Sequence, residues 1–267
     1  MGVRDLTLIW LDDIRLNARI DGPQDGPPLV LIHALGTDLT IWDALLPLLP
    51  PGLRVLRLDL RGHGGSDVPP GPYAMGQLVR DTERLIDHFR LRDAVVLGLS
   101  IGGLVAQGLA VKRLDQVRAM VLSNTAARIG VASQWQARIE AVAAGGMAAI
   151  APQTLERWFG RDWRSRPDAD DWQDRLLRCS PEGWAGCAAA IAGTDFYTTT
   201  ASLGLPTLAI AGDRDASTPP DLVRETADLV RGSRFALIRG AGHLPFVDRA
   251  GDYAQVLSEF LRGIGHV

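Results

Sequence analysis

Residues Val95–Gly103, reading Val-Val-Leu-Gly-Leu-Ser-Ile-Gly-Gly, constrain the fold more than any other stretch of the chain. A short apolar run suited to a buried strand reaches Gly98, and Ser100 follows between Gly98 and Gly102. A small-residue helical pattern (Leu104, Val105, Ala106, Leu109, Ala110) starts at once. Turning from strand to helix in so few residues forces the serine into a strained backbone conformation. The flanking glycines remove the side chains that would keep neighbouring backbone away. This is the G-x-S-x-G turn that presents a serine hydroxyl at the carboxyl edge of a sheet, above the start of a helix. The string alone is common, and a glycine-rich turn that merely contains a serine is the plain alternative. A strand before it and a helix after it make it specific.

The rest of the chain supplies a matching frame. Apolar, β-branched runs predict strands at Leu6–Trp10, Ile14–Ile20, Leu29–Ile32, Val55–Leu58, Val95–Leu97, Ala119–Leu122, Thr207–Ala211 and Phe235–Ile238. The first two flank Asp12 and Asp13 and read as an antiparallel hairpin. The others alternate with helical patterns at Thr40–Leu49, Ala74–Phe89, Ile101–Val111, Asp221–Val230 and Asp252–Leu261, which implies a mostly parallel, eight-stranded sheet with helices on both faces. In the second helix Leu78, Leu85, Ile86 and Phe89 share a face, with Arg80, Asp81, Glu83 and Arg84 expected to look outward. Between Thr125 and Leu203 strand signals vanish, and helices are predicted at Ser133–Val142, Met147–Phe159, Asp168–Leu177 and Pro181–Ile191. Five of the seven tryptophans fall there. The expected organisation is an α/β core from residues 1–124 and 204–267, with a helical lid, 125–203, over the carboxyl edge where open α/β sheets bind ligands. Most of these tryptophans are expected simply to hold the helices together.

Composition narrows the chemistry. A chain of 267 residues, 46% hydrophobic and 22% charged, can bury a substantial core. Its net charge of −3 gives no reason to expect nucleic acid or an anionic membrane as partner. Cys179 and Cys187 lack metal-ligand spacing and read as ordinary thiols. Residues Met1–Leu6 lack a basic-then-apolar leader pattern, and no apolar stretch is long enough to span a bilayer, so a soluble cytoplasmic protein is expected. Lys112 is the sole lysine and sits near a helix end, where a solvated cap suits it better than Schiff-base chemistry.

A serine nucleophile needs a base in hydrogen-bond reach and a partner to orient that base. Of five histidines, His266 is in the tail and His88 ends an amphipathic helix. His63, in Arg61-Gly-His-Gly-Gly-Ser66, more naturally shapes its loop, and His33 closes a strand. His243, in Gly240-Ala-Gly-His243, follows the last strand and comes after the serine in chain order. The acid should lie between them, in Gly212-Asp-Arg-Asp215. Either aspartate could serve. Asp215, at the turn of the loop, is preferred to Asp213, which stands beside Arg214 as a turn or salt-bridge residue. Asn124, after the preceding strand, cannot supply the charge that steadies an imidazolium. An oxyanion hole should combine the Ile101 N–H with the Leu35 N–H of His33-Ala-Leu-Gly36.

These segments, with Asp59-Leu-Arg-Gly-His-Gly-Gly-Ser66, resemble the α/β-hydrolase fold family across the whole chain. Within it the strongest likeness is to 3-oxoadipate enol-lactonases of the bacterial β-ketoadipate pathway. It is carried by Leu35-Gly-Thr-Asp38 with Trp42-Asp43, by Ser123–Gly130, by Trp135 with Arg138, by Arg157-Trp-Phe159 and by Cys187–Asp195. The resemblance implies hydrolysis of a small anionic lactone by Ser100, His243 and Asp215, with no metal or organic cofactor. Trp135 and Arg138, three apart on the first lid helix, share a face and are candidates to hold the substrate carboxylate. Packing of Trp135 against Ile139 and Val142 with a solvated Arg138 is the competing reading. A carboxylesterase, a carbon–carbon bond hydrolase, or a ligand receptor that keeps the fold without the activity are the alternatives.

Overall fold

A computed structural model describes residues 7–267; Leu6 of the first predicted strand lies outside them. Eight strands form one sheet: β1 (Leu8–Trp10), β2 (Arg15–Asp21), β3 (Pro28–Ile32), β4 (Arg54–Leu58), β5 (Ala94–Leu99), β6 (Val117–Ser123), β7 (Thr207–Gly212) and β8 (Arg234–Ile238). Their order is β1-β2-β4-β3-β5-β6-β7-β8. The pair β1–β2 is an antiparallel hairpin, β2 is antiparallel to β4, and every remaining pair is parallel. Every residue of β5 and β7 is buried. Alternate residues of a strand point to opposite faces, so both faces of the sheet's centre are covered. The chain is therefore an α/β protein with a mostly parallel eight-stranded sheet.

The helices are α1 (Met75–His88), α2 (Ile101–Lys112), α3 (Ala132–Gly145), α4 (Ala151–Phe159), α5 (Ala169–Leu177), α6 (Pro181–Ala192), α7 (Tyr197–Ala201), α8 (Pro220–Leu229), α9 (Pro245–Asp248) and α10 (Ala250–Gly263). Between β6 and β7 the described chain is helical, α3 to α7, and contains no strand. None of the described helices is long and apolar enough to cross a membrane. Cys179 and Cys187 are free thiols, and Lys112, the last residue of α2, pairs with Glu83.

Three expectations fail locally. The helix predicted over Thr40–Leu49 is two short 3-10 turns, Leu39–Trp42 and Leu46–Leu48. Pro47 has no N–H to give the carbonyl four residues back, which breaks a continuous helix. For the same reason Met147–Phe159 divides into a 3-10 turn, Met147–Ala149, and α4, whose first turn takes Pro152. Asp81, expected to face solvent, is fully buried; Arg61 reaches it through two hydrogen bonds of 2.6 and 2.8 Å. A buried carboxylate needs such a partner, and the partner comes from the loop after β4.

Candidate active site

Ser100 joins β5 to α2 with φ 57° and ψ −117°, a left-handed conformation costly for a residue with a side chain. Its surroundings enforce it. A Cβ on Gly98 would strike the Gly102 carbonyl, and one on Gly102 would strike the carbonyl of Ile32 on β3. The Ser100 N–H donates to Ser123 O (3.0 Å), and Thr125 Oγ1 donates to Ser100 O (2.6 Å). Strain is thus held by contacts from two neighbouring strands. Gly98→Ala should cost several kcal/mol of stability or prevent folding, since backbone rather than a movable side chain occupies the space; unchanged thermal unfolding would contradict this.

His243 follows β8 and is buried, its ring Nδ1 lying 2.8 Å from Asp215 Oδ2. Asp215 is a hub of donors. Oδ2 also accepts from Asn124 Nδ2 and Thr218 Oγ1, both at 2.7 Å, and Oδ1 accepts from the N–H groups of Ser217 (2.7 Å) and Thr218 (3.2 Å). Burial pushes the Asp215 pKa up, but the His243 charge and these donors outweigh it and hold the carboxyl below its ordinary range. Asp213 is exposed and accepts the Gly240 N–H at 2.7 Å, a turn role away from His243. Asn124, which lacks the charge to steady an imidazolium itself, bridges Asp215 and the Gly242 carbonyl (3.3 Å) through its amide. Nothing local marks Asn124 for this; the adjacency of β6 and β7 creates it.

The second His243 nitrogen, Nε2, has no protein partner among the described residues. Nor does the Ser100 hydroxyl, and both residues line one cavity of about 500 Å³. Hydrogen bonds between such groups commonly tighten only around bound substrate. Leu35 lines the same cavity, and Ile101 opens α2, where helix N–H groups are unpaired and the dipole favours negative charge.

The helical segment supplies the other wall. Arg138 stacks over Trp135 (4.6 Å to the ring centroid) and Trp184 (5.1 Å), and donates to Thr154 Oγ1 at 3.3 Å. The sequence pairing of Trp135 with Arg138 is therefore a contact. The Trp135 indole N–H, however, is spent on the Ile129 carbonyl at 2.6 Å, so the ring offers a face rather than a donor. Arg157, on α4, also lines the cavity. Burial, with added repulsion from Arg157, pushes the Arg138 pKa down to about 10. Among the described residues neither guanidinium pairs with a carboxylate. Trp158 and Trp184 line the cavity as well, whereas Trp172 packs edge-on against Trp158. The α4 backbone is docked onto the loops below: Arg157 O accepts from Ala216 N (3.3 Å) and Trp158 O from His243 N (2.8 Å).

His33 and His63 are both buried and both take up backbone donors. His33 Nε2 accepts from Leu60 N (2.9 Å) while Nδ1 meets Ala34 O (2.7 Å). His63 Nε2 accepts from Gly36 N (3.0 Å) while Nδ1 meets Arg61 O (3.3 Å). Peptide N–H groups can only donate, so both rings are neutral with the proton on Nδ1. Burial pushes their pKa values down to about 4 for His33 and about 3 for His63. The unfolded chain therefore binds protons that the folded chain refuses. Stability should be full above the unfolded histidine pKa of about 6.5 and fall as pH drops toward 4, by about 1.4 kcal/mol per pH unit for each ring. Urea unfolding at successive pH values measures this; a flat profile across that window would refute the neutral pair.

Among the described residues no three His, Cys, Asp or Glu side chains gather as metal ligands. A family model described as alpha/beta hydrolase fold matches residues 27–250. The chain is 35% identical over 208 residues to 3-oxoadipate enol-lactonase 2 of Acinetobacter baylyi, covering 77% of this chain and 78% of that one. It is 29% identical over 259 residues to a pimeloyl-[acyl-carrier protein] methyl ester esterase of Neisseria meningitidis, covering 94% and 99%. The crystal structure of the enol-lactonase from Burkholderia xenovorans superposes with a TM-score of 0.92 at 34% identity, covering 96% of this chain and all of that one. With the sheet order, the strained serine turn and these matches together, the chain belongs to the alpha/beta hydrolase fold family.

Proposed function

We propose that the chain hydrolyses 3-oxoadipate enol-lactone to 3-oxoadipate, through an acyl-enzyme on Ser100. The observation that carries this reading is the cavity itself, in which Ser100 and His243 share walls with Arg138 and Arg157, two cations without a carboxylate partner among the described residues. Both guanidinium groups are half-buried, and an anionic substrate would supply the charge partner they lack.

In this mechanism His243 Nε2 takes the Ser100 proton as the oxygen attacks the lactone carbonyl. The tetrahedral oxyanion rests on the Leu35 and Ile101 N–H groups. Collapse breaks the ring acyl–oxygen bond, and the enolate leaves, takes the proton back from His243 and becomes a ketone. Ketonisation makes the step hard to reverse. Water, deprotonated by His243, then attacks the acyl carbon and frees Ser100. Asp215 keeps the proton of the neutral imidazole on Nδ1 and stabilises its cation. Arg138, backed by the Trp135 and Trp184 faces, holds the free carboxylate, and Arg157 adds a second positive group.

The similarity to the methyl ester esterase favours one competing reading, an esterase on the same serine. Parallel assays on the enol-lactone and on neutral p-nitrophenyl acetate separate the two. Arg138→Ala should raise KM for the lactone about 10- to 100-fold, the worth of a charge-assisted hydrogen bond. Turnover of the neutral ester should change little. An unaltered lactone KM, or equal losses on both substrates, refutes the carboxylate clamp. No measurable lactone turnover alongside brisk ester hydrolysis would favour the esterase.

A further inference from the structure

The loop that carries Leu35 is held from outside the reacting centre, by an exchange between two loops. His33, just after β3, accepts the Leu60 N–H in the loop after β4. His63, in that second loop, accepts the Gly36 N–H in the first. The rings lie 5.4 Å apart, each essentially inaccessible to solvent. The second loop is itself anchored: Asp59 accepts from Asn17 Nδ2 (2.7 Å), Leu39 N (2.6 Å) and Gly65 N (2.8 Å), and Arg61 pairs with buried Asp81. Gly36 has φ +81°, and a Cβ there would meet Leu176 and Trp184, so the turn is closed from the helical side too.

We propose that His63 is a positioning residue, which fixes the Leu35–Gly36 peptide through the Gly36 N–H and so aims the Leu35 N–H at the oxyanion. The proposal rests on the reading of Ser100 as nucleophile and Leu35 as oxyanion donor. Its physical basis is simple: one bond at Gly36 sets the orientation of the peptide plane next to the donor, and a donor acts only when aimed at the place where charge develops. Replacing the acceptor leaves a buried N–H unsatisfied and frees that plane to tilt. The charged and titratable groups around the pair are Asp38, Asp59, Arg61, Arg175 and Cys187. Protonation of His63 on Nε2 would convert its acceptor to a donor facing the Gly36 N–H, so the latch holds only with a neutral ring.

The experiment compares His63→Leu with His63→Gln, whose Oε1 can accept the Gly36 N–H. Readouts are kcat and KM on p-nitrophenyl acetate and the enol-lactone, and inhibition by phenylboronic acid, which forms a tetrahedral adduct with an active serine. In His63→Leu, kcat should fall about 10- to 100-fold, within the range for a lost oxyanion donor or a small misplacement of one. KM should stay within about threefold, and boronate affinity should fall in step with kcat. His63→Gln should recover most of both losses. Unchanged kcat and boronate affinity in His63→Leu overturn the proposal, as does a His63→Gln no better than His63→Leu. Should His63→Leu fail to fold, His63→Gln decides: kcat near wild type supports the latch, and a large loss with boronate affinity intact overturns it. Labelling of wild-type Ser100 by a fluorophosphonate keeps the two levels apart, because its absence sinks the nucleophile reading and not only the role of His63.

Discussion

Ser100→Ala is expected to leave a folded protein whose lactone turnover has dropped by about 10⁴- to 10⁶-fold, the loss typical when a serine nucleophile is removed. Folding should survive because alanine keeps the Cβ and loses only the hydroxyl. The strain at φ 57° is imposed by the Gly98–Gly102 approach and by the bonds to Ser123 and Thr125, none of which involves the Ser100 Oγ. The variant should therefore unfold within a few degrees of wild type and bind the lactone with little change, since Arg138 and Arg157 are intact. Fluorophosphonate should no longer label it. Turnover close to wild type in this variant would end the case for serine catalysis.

Asp215→Asn should be nearly as damaging, with kcat down by about 10⁴-fold at little change in fold. Asp215 receives donors on both oxygens: His243, Asn124 and Thr218 on Oδ2, and two peptide N–H groups on Oδ1. An asparagine has one oxygen to offer. If that oxygen stays with the two peptide N–H groups, its amide faces His243 as a donor and forces Nδ1 to accept. The imidazole proton then moves to Nε2, the nitrogen that must accept from Ser100. Asn124→Leu removes one donor and leaves the carboxylate, so a smaller loss, about tenfold, is expected with an upward shift of the Asp215 pKa. The wild-type carboxyl lies below its ordinary range partly through this donor, so removing it weakens the hold on the anionic form, and an unchanged kcat in Asn124→Leu would refute the supporting role. Full activity in Asp215→Asn would remove the acid from the mechanism and reopen Asp213.

The features legible in the sequence are those whose causes lie close together along the chain. The serine turn was legible because its causes are local: two glycines, a buried strand and a helix start within nine residues. The central strands were legible because burial on both faces leaves continuous apolar runs. Ser100, Asp215 and His243 could be ordered along the chain because each follows a strand of a parallel sheet, and such strands bring their carboxyl ends to one edge. At Pro47 and Pro152 one proline outweighed an apolar helical pattern.

The remaining features were decided by contacts between distant parts of the chain. Asn124 meets Asp215 across 91 residues, Arg61 meets Asp81 across 20, and His33 and His63 each bridge 27 to reach a peptide N–H. An amide, a carboxylate or an imidazole looks the same in sequence whether solvated or buried against one partner. Hydrogen bonds are short-ranged and directional, so only the folded backbone selects which donor meets which acceptor. Legible in the order of residues were the mostly parallel sheet, the strained serine and the polar residues that follow the strands. Folding was needed to bring Arg138 and Arg157 to one cavity with no acid among its described lining residues, and His63 onto the Gly36 N–H, because both depend on where separate elements come to rest against each other.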